Sequence, residues 1–172
     1  MLIIVEGPDG AGKTTLAKKI VAATGAWYRH ASKPVWHPMI EYTYPVEDAL
    51  CDNSAGLVCD RWHLGEMIYG PLYRGKAGLT ETQFAAVEEY LTERGAVVVL
   101  CTGTTRQLIQ RLQDRGEEVH PTFRQEIRAW DDMATKTRLP VIRSLVGMET
   151  PAWEVIDFAR EHEGKVLCTT ST

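Results

Sequence analysis

The sequence predicts a doubly wound, three-layer α/β fold: a five-stranded parallel sheet in one domain spanning residues 1–172. Three observations carry that expectation. Short apolar runs rich in β-branched residues, Leu2–Val5 and Ala96–Cys101 above all, suit strands buried on both faces. Segments with apolar residues at helical spacing alternate with these runs, and that alternation winds into a parallel sheet. A glycine-rich stretch, Gly7–Thr14, sits between the first run and the first helical segment.

Taken in order, Leu2–Val5 is the first strand. Gly7–Thr14 satisfies G-x-x-x-x-G-K-[ST] within Glu6-Gly7-Pro8-Asp9-Gly10-Ala11-Gly12-Lys13-Thr14-Thr15. Thr15–Ala23 is helical in pattern, with Gly25 as its C-cap. Strand, glycine loop and helix together are the context of a phosphate-binding loop, where the regular expression alone would be a modest signal. Gly7, Gly10 and Gly12 free the backbone so that its amides, with that of Ala11 among them, can converge on phosphate oxygens. The positive end of the helix adds to that field. Lys13 is the candidate for the β/γ-phosphates, and the hydroxyls of Thr14 and Thr15 follow it, Thr14 as a candidate Mg²⁺ ligand.

Ala26–His30 reads as a second strand. Ser32–Pro45 mixes prolines with Trp36, His37, Tyr42 and Tyr44, and is expected to be irregular. Its aromatics either line a pocket, with Trp36 and Tyr42 as base-stacking candidates, or cover the core. Val46–Leu50 starts a short helix. Gly56–Cys59 is a third strand that delivers Asp60, Arg61 and Trp62 to its carboxyl edge, where open parallel sheets bind ligands. Asp60 there can hold Mg²⁺ through water, and Arg61 can face a transferring phosphoryl group. A helix-capping aspartate beside a solvated arginine is the plainer alternative. His63–Tyr69 is helical and breaks at Gly70–Gly75, which leaves Arg74 and Lys76 in a loop.

Thr80 and Gln83 suit a capping box for a helix carrying Phe84, Val87, Tyr90 and Leu91. Ala96–Cys101 is the fourth strand. Thr104 or Thr105 caps the next helix, on which Arg111 and Arg115 share a face ahead of Gly116. Arginines there suit a lid over phosphates, at about residues 111–120. Pro121 opens a further helix with Phe123, Ile127 and Trp130 on its core face, and Pro140–Val146 is the fifth strand. Gly147–Thr150 lies at the edge where an adenine could rest. Pro151–His162 is an amphipathic helix, and Val166–Cys168 is a short strand or a tail.

The net charge is −4, so no overall basic surface recruits nucleic acid. The four cysteines lack C-x-x-C spacing and the five histidines lack ligand spacing, which points to reduced thiols rather than a disulfide or zinc framework. No basic region followed by a long apolar segment marks a signal peptide, and Ala96–Cys101 is far too short to span a bilayer. A cytoplasmic location without membrane contact is the expectation.

Four stretches together resemble the thymidylate kinase branch of the P-loop nucleoside and nucleotide kinases. They are the phosphate loop with an acid at Asp9, the Asp60-Arg61-Trp62 triplet, Tyr69 and Arg74 downstream of it, and the lid-like run Arg111 to Glu117. The compact length is similar to that of phage-encoded relatives. The resemblance implies that Asp9 meets the sugar 3′-hydroxyl of the acceptor and that Arg61 binds its phosphate. The chain departs from the pattern at Gly65 or Glu66, where serine or threonine is usual, and at Gly70, where the family has a base-contacting glutamine. These changes bear on thymine recognition, not on phosphoryl transfer. The implied activity is ATP- and Mg²⁺-dependent phosphorylation of a deoxynucleoside monophosphate, dTMP or a broader set. Its partners are small nucleotides, and a homodimer is compatible with it. A deoxynucleoside kinase is the alternative. A regulatory switch is disfavoured because no Asn-Lys-x-Asp follows from the single asparagine, Asn53, and a polynucleotide kinase because no basic stripe exists.

Overall fold

The computed structural model describes residues 1–31, 37–52 and 54–163. Five parallel strands form one sheet in the order β2-β3-β1-β4-β5: β1 Leu2–Glu6, β2 Trp27–His30, β3 Leu57–Asp60, β4 Ala96–Thr102 and β5 Val141–Leu145. β1 is central. Ile4 lies between Cys59 of β3 and Val98 of β4 in register. Ile3, Ile4 and Val5 are wholly buried, each contributing roughly 1.5–3 kcal/mol of apolar burial.

Alternation along the strands builds two cores. Leu2, Ile4, Cys59, Val98 and Leu100 face one of them with Tyr42, Leu64, Leu91 and Trp130. Ile3, Val5, Val58, Val97 and Val99 face the other with Leu16, Ile20, Leu108 and Val155. The helices are α1 Lys13–Thr24, α2 Pro38–Cys51, α3 His63–Arg74, α4 Glu81–Glu93, α5 Thr105–Asp114, α6 Phe123–Lys136 and α7 Ala152–Glu161. Thr80 and Thr104 each form a full capping box, on α4 and α5. Gly25 ends α1 in the left-handed conformation.

Two expectations fail, both at prolines. Residues 38–45 are not irregular: α2 starts at Pro38 and runs through Pro45 to Cys51. Proline is well placed at the first position of a helix, and burial of Tyr42, Val46 and Ala49 on one face offsets the hydrogen bond that Pro45 cannot donate. Likewise α3 does not break at Gly70 but continues through Pro71 to Arg74, with Gly75 as its left-handed C-cap. Arg74 is therefore held on a helix. The expectation for Val166–Cys168 lies outside the described residues. Among them, no helix is long and apolar enough to cross a membrane.

Candidate active site

The site is assembled at the carboxyl edge of β1 and β3. The chain leaves β1 at Gly7 with φ 136°, where a Cβ would stand 1.9 Å from the carbonyl oxygen of Cys101. Only glycine lets the loop press that closely on β4. At the other end Gly12, at φ 88°, caps α1 without any side chain over its first amides, so these stay open to an anion. Lys13 is buried at the same place. Its Nζ donates to the Pro8 carbonyl at 2.8 Å and lies 3.5 Å from Asp9 Oδ1. Burial, and then the Arg61 charge, pull the Lys13 pKa down, so an arriving polyanion would favour the charged ammonium. A cavity of about 230 Å³ is bounded by Gly12, Lys13, Thr14 and Thr15, and by Arg61 and Arg115.

Asp60 ends β3 with no exposed surface, and its Oδ2 accepts hydrogen bonds from Thr14 Oγ1 at 2.6 Å and Tyr28 OH at 2.8 Å. His30 Nδ1 lies 3.2 Å from the same oxygen. Burial alone would raise the Asp60 pKa, but the hydrogen bonds from Thr14, Tyr28 and His30 outweigh it and hold the carboxyl below its ordinary value. Among the described residues, Asp60 Oδ1 is buried without a partner. A hydroxyl beside an ionised carboxylate with an unused oxygen suits Mg²⁺. Among the described residues, no group of three or more His, Cys, Asp or Glu could hold a metal. Thr14 and Asp60 would thus supply part of the shell, with phosphate and water the rest.

Arg61 follows at φ 65°, the only described non-glycine residue in the left-handed region, and its amide donates to the Val5 carbonyl at 2.9 Å. Such a conformation persists only where neighbours impose it. Glu6 does so: its Oε1 accepts from the amides of Trp62 at 2.7 Å and Gly65 at 3.3 Å, tying the start of α3 to the end of β1. Glu6 is fully buried, and burial pushes its pKa up to about 7 against the pull of those amides, Lys13 and Arg61. The Arg61 guanidinium meets Asp9 Oδ1 at 2.5 Å and lies 5.5 Å from the centre of the Tyr69 ring.

Arg61 also borders a second cavity of about 220 Å³, together with His30, Trp62, Glu66, Tyr69 and Arg74. There Arg74 Nη2 donates to Glu66 Oε2 at 2.5 Å. Tyr69 OH donates to the Gly7 carbonyl at 3.3 Å. A third cavity, of about 290 Å³, lies past the loop and is lined by Gly12, Thr15, Arg111, Glu149, Thr150 and Pro151. It coincides with the edge expected to receive an adenine.

The structure brings Asp9, Lys13, Thr14, Thr15, Asp60, Arg61, Tyr69, Arg74, Arg111 and Arg115 around these three adjoining cavities. The two arginines expected in a lid divide between them: Arg115 borders the phosphate cavity and pairs with Glu117 at 3.0 Å, while Arg111 borders the third cavity and pairs with Glu149 at 2.8 Å. Trp36 lies outside the described residues. Tyr42 is corrected: at 1% exposure it packs edge-on against Trp62 in the core and shows no face to a ligand.

Sequence reasoning missed four site residues. Tyr28 and His30 alternate on β2 and so point to one side, at Asp60. Glu126, on α6, accepts the Asp9 amide at 3.3 Å and the Tyr73 hydroxyl. Burial raises its pKa, and the hydrogen bond from Tyr73 opposes the rise. Its signal was a carboxylate within the apolar stripe of Phe123, Ile127 and Trp130. The fourth is Glu6, a charged residue continuing a fully buried strand.

No family model matches the sequence, and no curated protein matches it. Solved structures do match. The YorR protein of Bacillus subtilis, solved in complex with phosphorylated GDP, shares 20% identity at a TM-score of 0.78, over 93% of this chain and 96% of that one. Deoxyadenosine kinase from M. mycoides with bound dATP shares 14% identity at a TM-score of 0.59, over 93% and 99%. The same enzyme with bound dCTP gives 14% and 0.56, over 94% and 100%. At these identities the likeness establishes the fold.

Proposed function

We propose that the chain is an ATP- and Mg²⁺-dependent kinase that phosphorylates a deoxynucleoside monophosphate to the diphosphate. The observation that carries this reading is that Arg61 borders both the phosphate-loop cavity and the second cavity. Its guanidinium thus stands between a donor held by the loop and an acceptor held against α3. The fold shared with a deoxynucleoside kinase and with a protein holding a phosphorylated guanine nucleotide supports the same class.

An acceptor phosphate oxygen would form the new bond to the γ-phosphorus as the bond to the β-phosphate oxygen breaks and ADP leaves. A monophosphate is already a competent nucleophile, so the protein's contribution is alignment and charge. The loop amides and Lys13 hold the donor phosphates in line. Arg61 neutralises the oxygens of the transferring group as it moves, and Arg115 closes over it from the lid. Mg²⁺ held through Thr14 and Asp60 would spread the charge of the β- and γ-oxygens. Arg111, Glu149 and Thr150 receive the adenosine portion of ATP. Asp9 borders the phosphate cavity and is bound to Arg61, and its assignment to the acceptor's sugar hydroxyl follows the resemblance to the thymidylate kinase branch. The unpaired thiols of Cys51, Cys59 and Cys101 are in keeping with a cytoplasmic setting.

One observation favours a second reading. Both acceptor-side arginines already have carboxylate partners, Asp9 and Glu66, so the cavity does not require an anion to balance them. A neutral deoxynucleoside acceptor is compatible with that. Steady-state ADP formation from ATP and Mg²⁺ decides between the two, using matched pairs of monophosphate and nucleoside. We expect every accepted base to be used far better as its monophosphate, and Arg61→Ala to raise the monophosphate KM and lower kcat together. A higher kcat/KM for any free deoxynucleoside overturns the reading.

A further inference from the structure

The second cavity has two ends. Arg61, shared with the phosphate cavity, marks the end where phosphoryl groups meet. Glu66 and Arg74 border the second cavity and not the phosphate cavity. They form an ion pair at the cavity surface, the Glu66 side chain 9% exposed and that of Arg74 26%. Neither side chain has a sealed polar atom without a partner, so the groups this pair leaves unused stay open to solvent or to a ligand. Among the described residues, Glu66 Oε1 accepts no hydrogen bond, and only Nη2 of the Arg74 guanidinium donates one.

We propose that this pair reads the base of the acceptor nucleotide, and that the base it selects is guanine; the proposal rests on the kinase reading above. The pair offers an order of groups: Glu66 Oε1, which has no partner among the described residues, then Oε2, which accepts from Arg74 and keeps a second lone pair, then the remaining guanidinium N–H groups that donate. Guanine presents the complementary order along one edge: N2–H and N1–H donate, and O6 and N7 accept. Cytosine matches three of the four, through N4–H, N3 and O2. Adenine and thymine present acceptor, donor, acceptor, and set an acceptor against a carboxylate oxygen wherever their single donor is aligned. Unmatched buried groups of this kind are what a hydrogen-bonding site rejects.

The neighbouring glycines fit such a role. A Cβ at Gly78 would stand 1.8 Å from Glu66 Oε2, and one at Gly70 would stand 2.5 Å from the Lys76 carbonyl oxygen. The loop 76–78 is therefore laid directly on Glu66 and on the helix turn behind it. Gly70 is filled by that loop and does not enlarge the pocket, so its lack of a side chain is no reason to expect broad base use.

The test is the kcat/KM of the wild-type protein with ATP for dGMP, dCMP, dAMP, dTMP and deoxyinosine monophosphate, which differs from dGMP only in lacking the 2-amino group. We expect dGMP to be preferred, with dCMP next. Deoxyinosine monophosphate should lie about tenfold to a hundredfold below dGMP, the discrimination of one good paired contact. Glu66→Gln replaces one acceptor by a donor and should remove most of the difference between dGMP and deoxyinosine monophosphate. Equal or better use of dTMP or dAMP overturns the assignment while leaving the kinase reading standing, as does equal use of dGMP and deoxyinosine monophosphate. If no monophosphate yields ADP, the kinase reading fails instead. Calorimetric titration of the wild-type protein with dGMP, deoxyinosine monophosphate and dTMP then decides the base assignment alone: tighter dGMP supports it, and equal affinities overturn it.

Discussion

Replacing Glu6 by glutamine should change how stability depends on pH. Glu6 is fully buried, and burial lifts its carboxyl from 4.5 to about 7. Below pH 4.5 the folded and unfolded chains both carry the proton, and the group has no net effect. Between pH 4.5 and 7 the folded state keeps a proton that the unfolded state has released, so stability falls as pH rises; above 7 the loss is complete. A rise of that size is worth about 3 kcal/mol in total, of which roughly 2–3 kcal/mol falls between pH 5 and pH 8. Glu6→Gln keeps an oxygen for the Trp62 and Gly65 amides and stays neutral throughout. Urea unfolding of both proteins at pH 5 and pH 8 isolates the effect, because every other group titrates alike in the two. The wild-type protein should lose roughly 2–3 kcal/mol more than the variant between the two values, or about 4–12 °C of Tm. Parallel pH dependence would refute the argument that Glu6 is held protonated by its burial.

Three further outcomes are expected. Lys13→Ala should lower kcat by about 3–4 kcal/mol of barrier while circular dichroism and Tm show an intact fold, since among the described residues Nζ bonds only a loop carbonyl and Asp9; near-normal turnover by a folded variant would contradict phosphoryl transfer at this loop. Asp9→Ala should raise the acceptor KM several-fold without weakening ATP, because its carboxylate serves Arg61 and the acceptor side; fluorescence titration with ATP and acceptor kinetics separate the two, and weakened ATP with an unchanged acceptor KM would assign Asp9 to the loop. Gly70→Gln should lower stability by about 1–3 kcal/mol in a thermal melt rather than add a base contact, because the Lys76 carbonyl and the Ala77 Cα occupy the space a side chain needs; an unchanged Tm would show that the loop at 76–78 gives way.

Much of this architecture was legible in the sequence because its signals are local. Leu2–Val5 and Ala96–Cys101 are apolar throughout because both faces of those strands are covered. The capping boxes at Thr80 and Thr104 are readable because four consecutive residues satisfy one another. The phosphate loop is legible for the same reason. What was not legible depended on tertiary context. Pro45 and Pro71 read as breaks, and only packing of Tyr42, Val46 and Ala49, or of Ile68 and its neighbours on α3, shows that the helices run through them. The choice between lining a pocket and covering the core for Tyr42 is settled only by α2, which turns it inward. The carboxylate partners of the acceptor-side arginines are not readable locally, because Asp9 is 52 residues from Arg61 in sequence, and Glu66 two helical turns from Arg74. Gly70 looked like an absence of contact, and the structure shows it as a contact between backbones.

The central claim is transfer of a phosphoryl group onto a phosphate that the acceptor already carries. ³¹P NMR of the products tests it most directly, with ATP, Mg²⁺, the wild-type protein and a mixture of the four deoxynucleoside monophosphates and their nucleosides. The expected spectrum shows the paired α and β resonances of a deoxynucleoside diphosphate, growing in step with ADP, with the nucleosides unchanged. New 5′-monophosphate formed from a nucleoside, or inorganic phosphate with no phosphorylated acceptor, would contradict it.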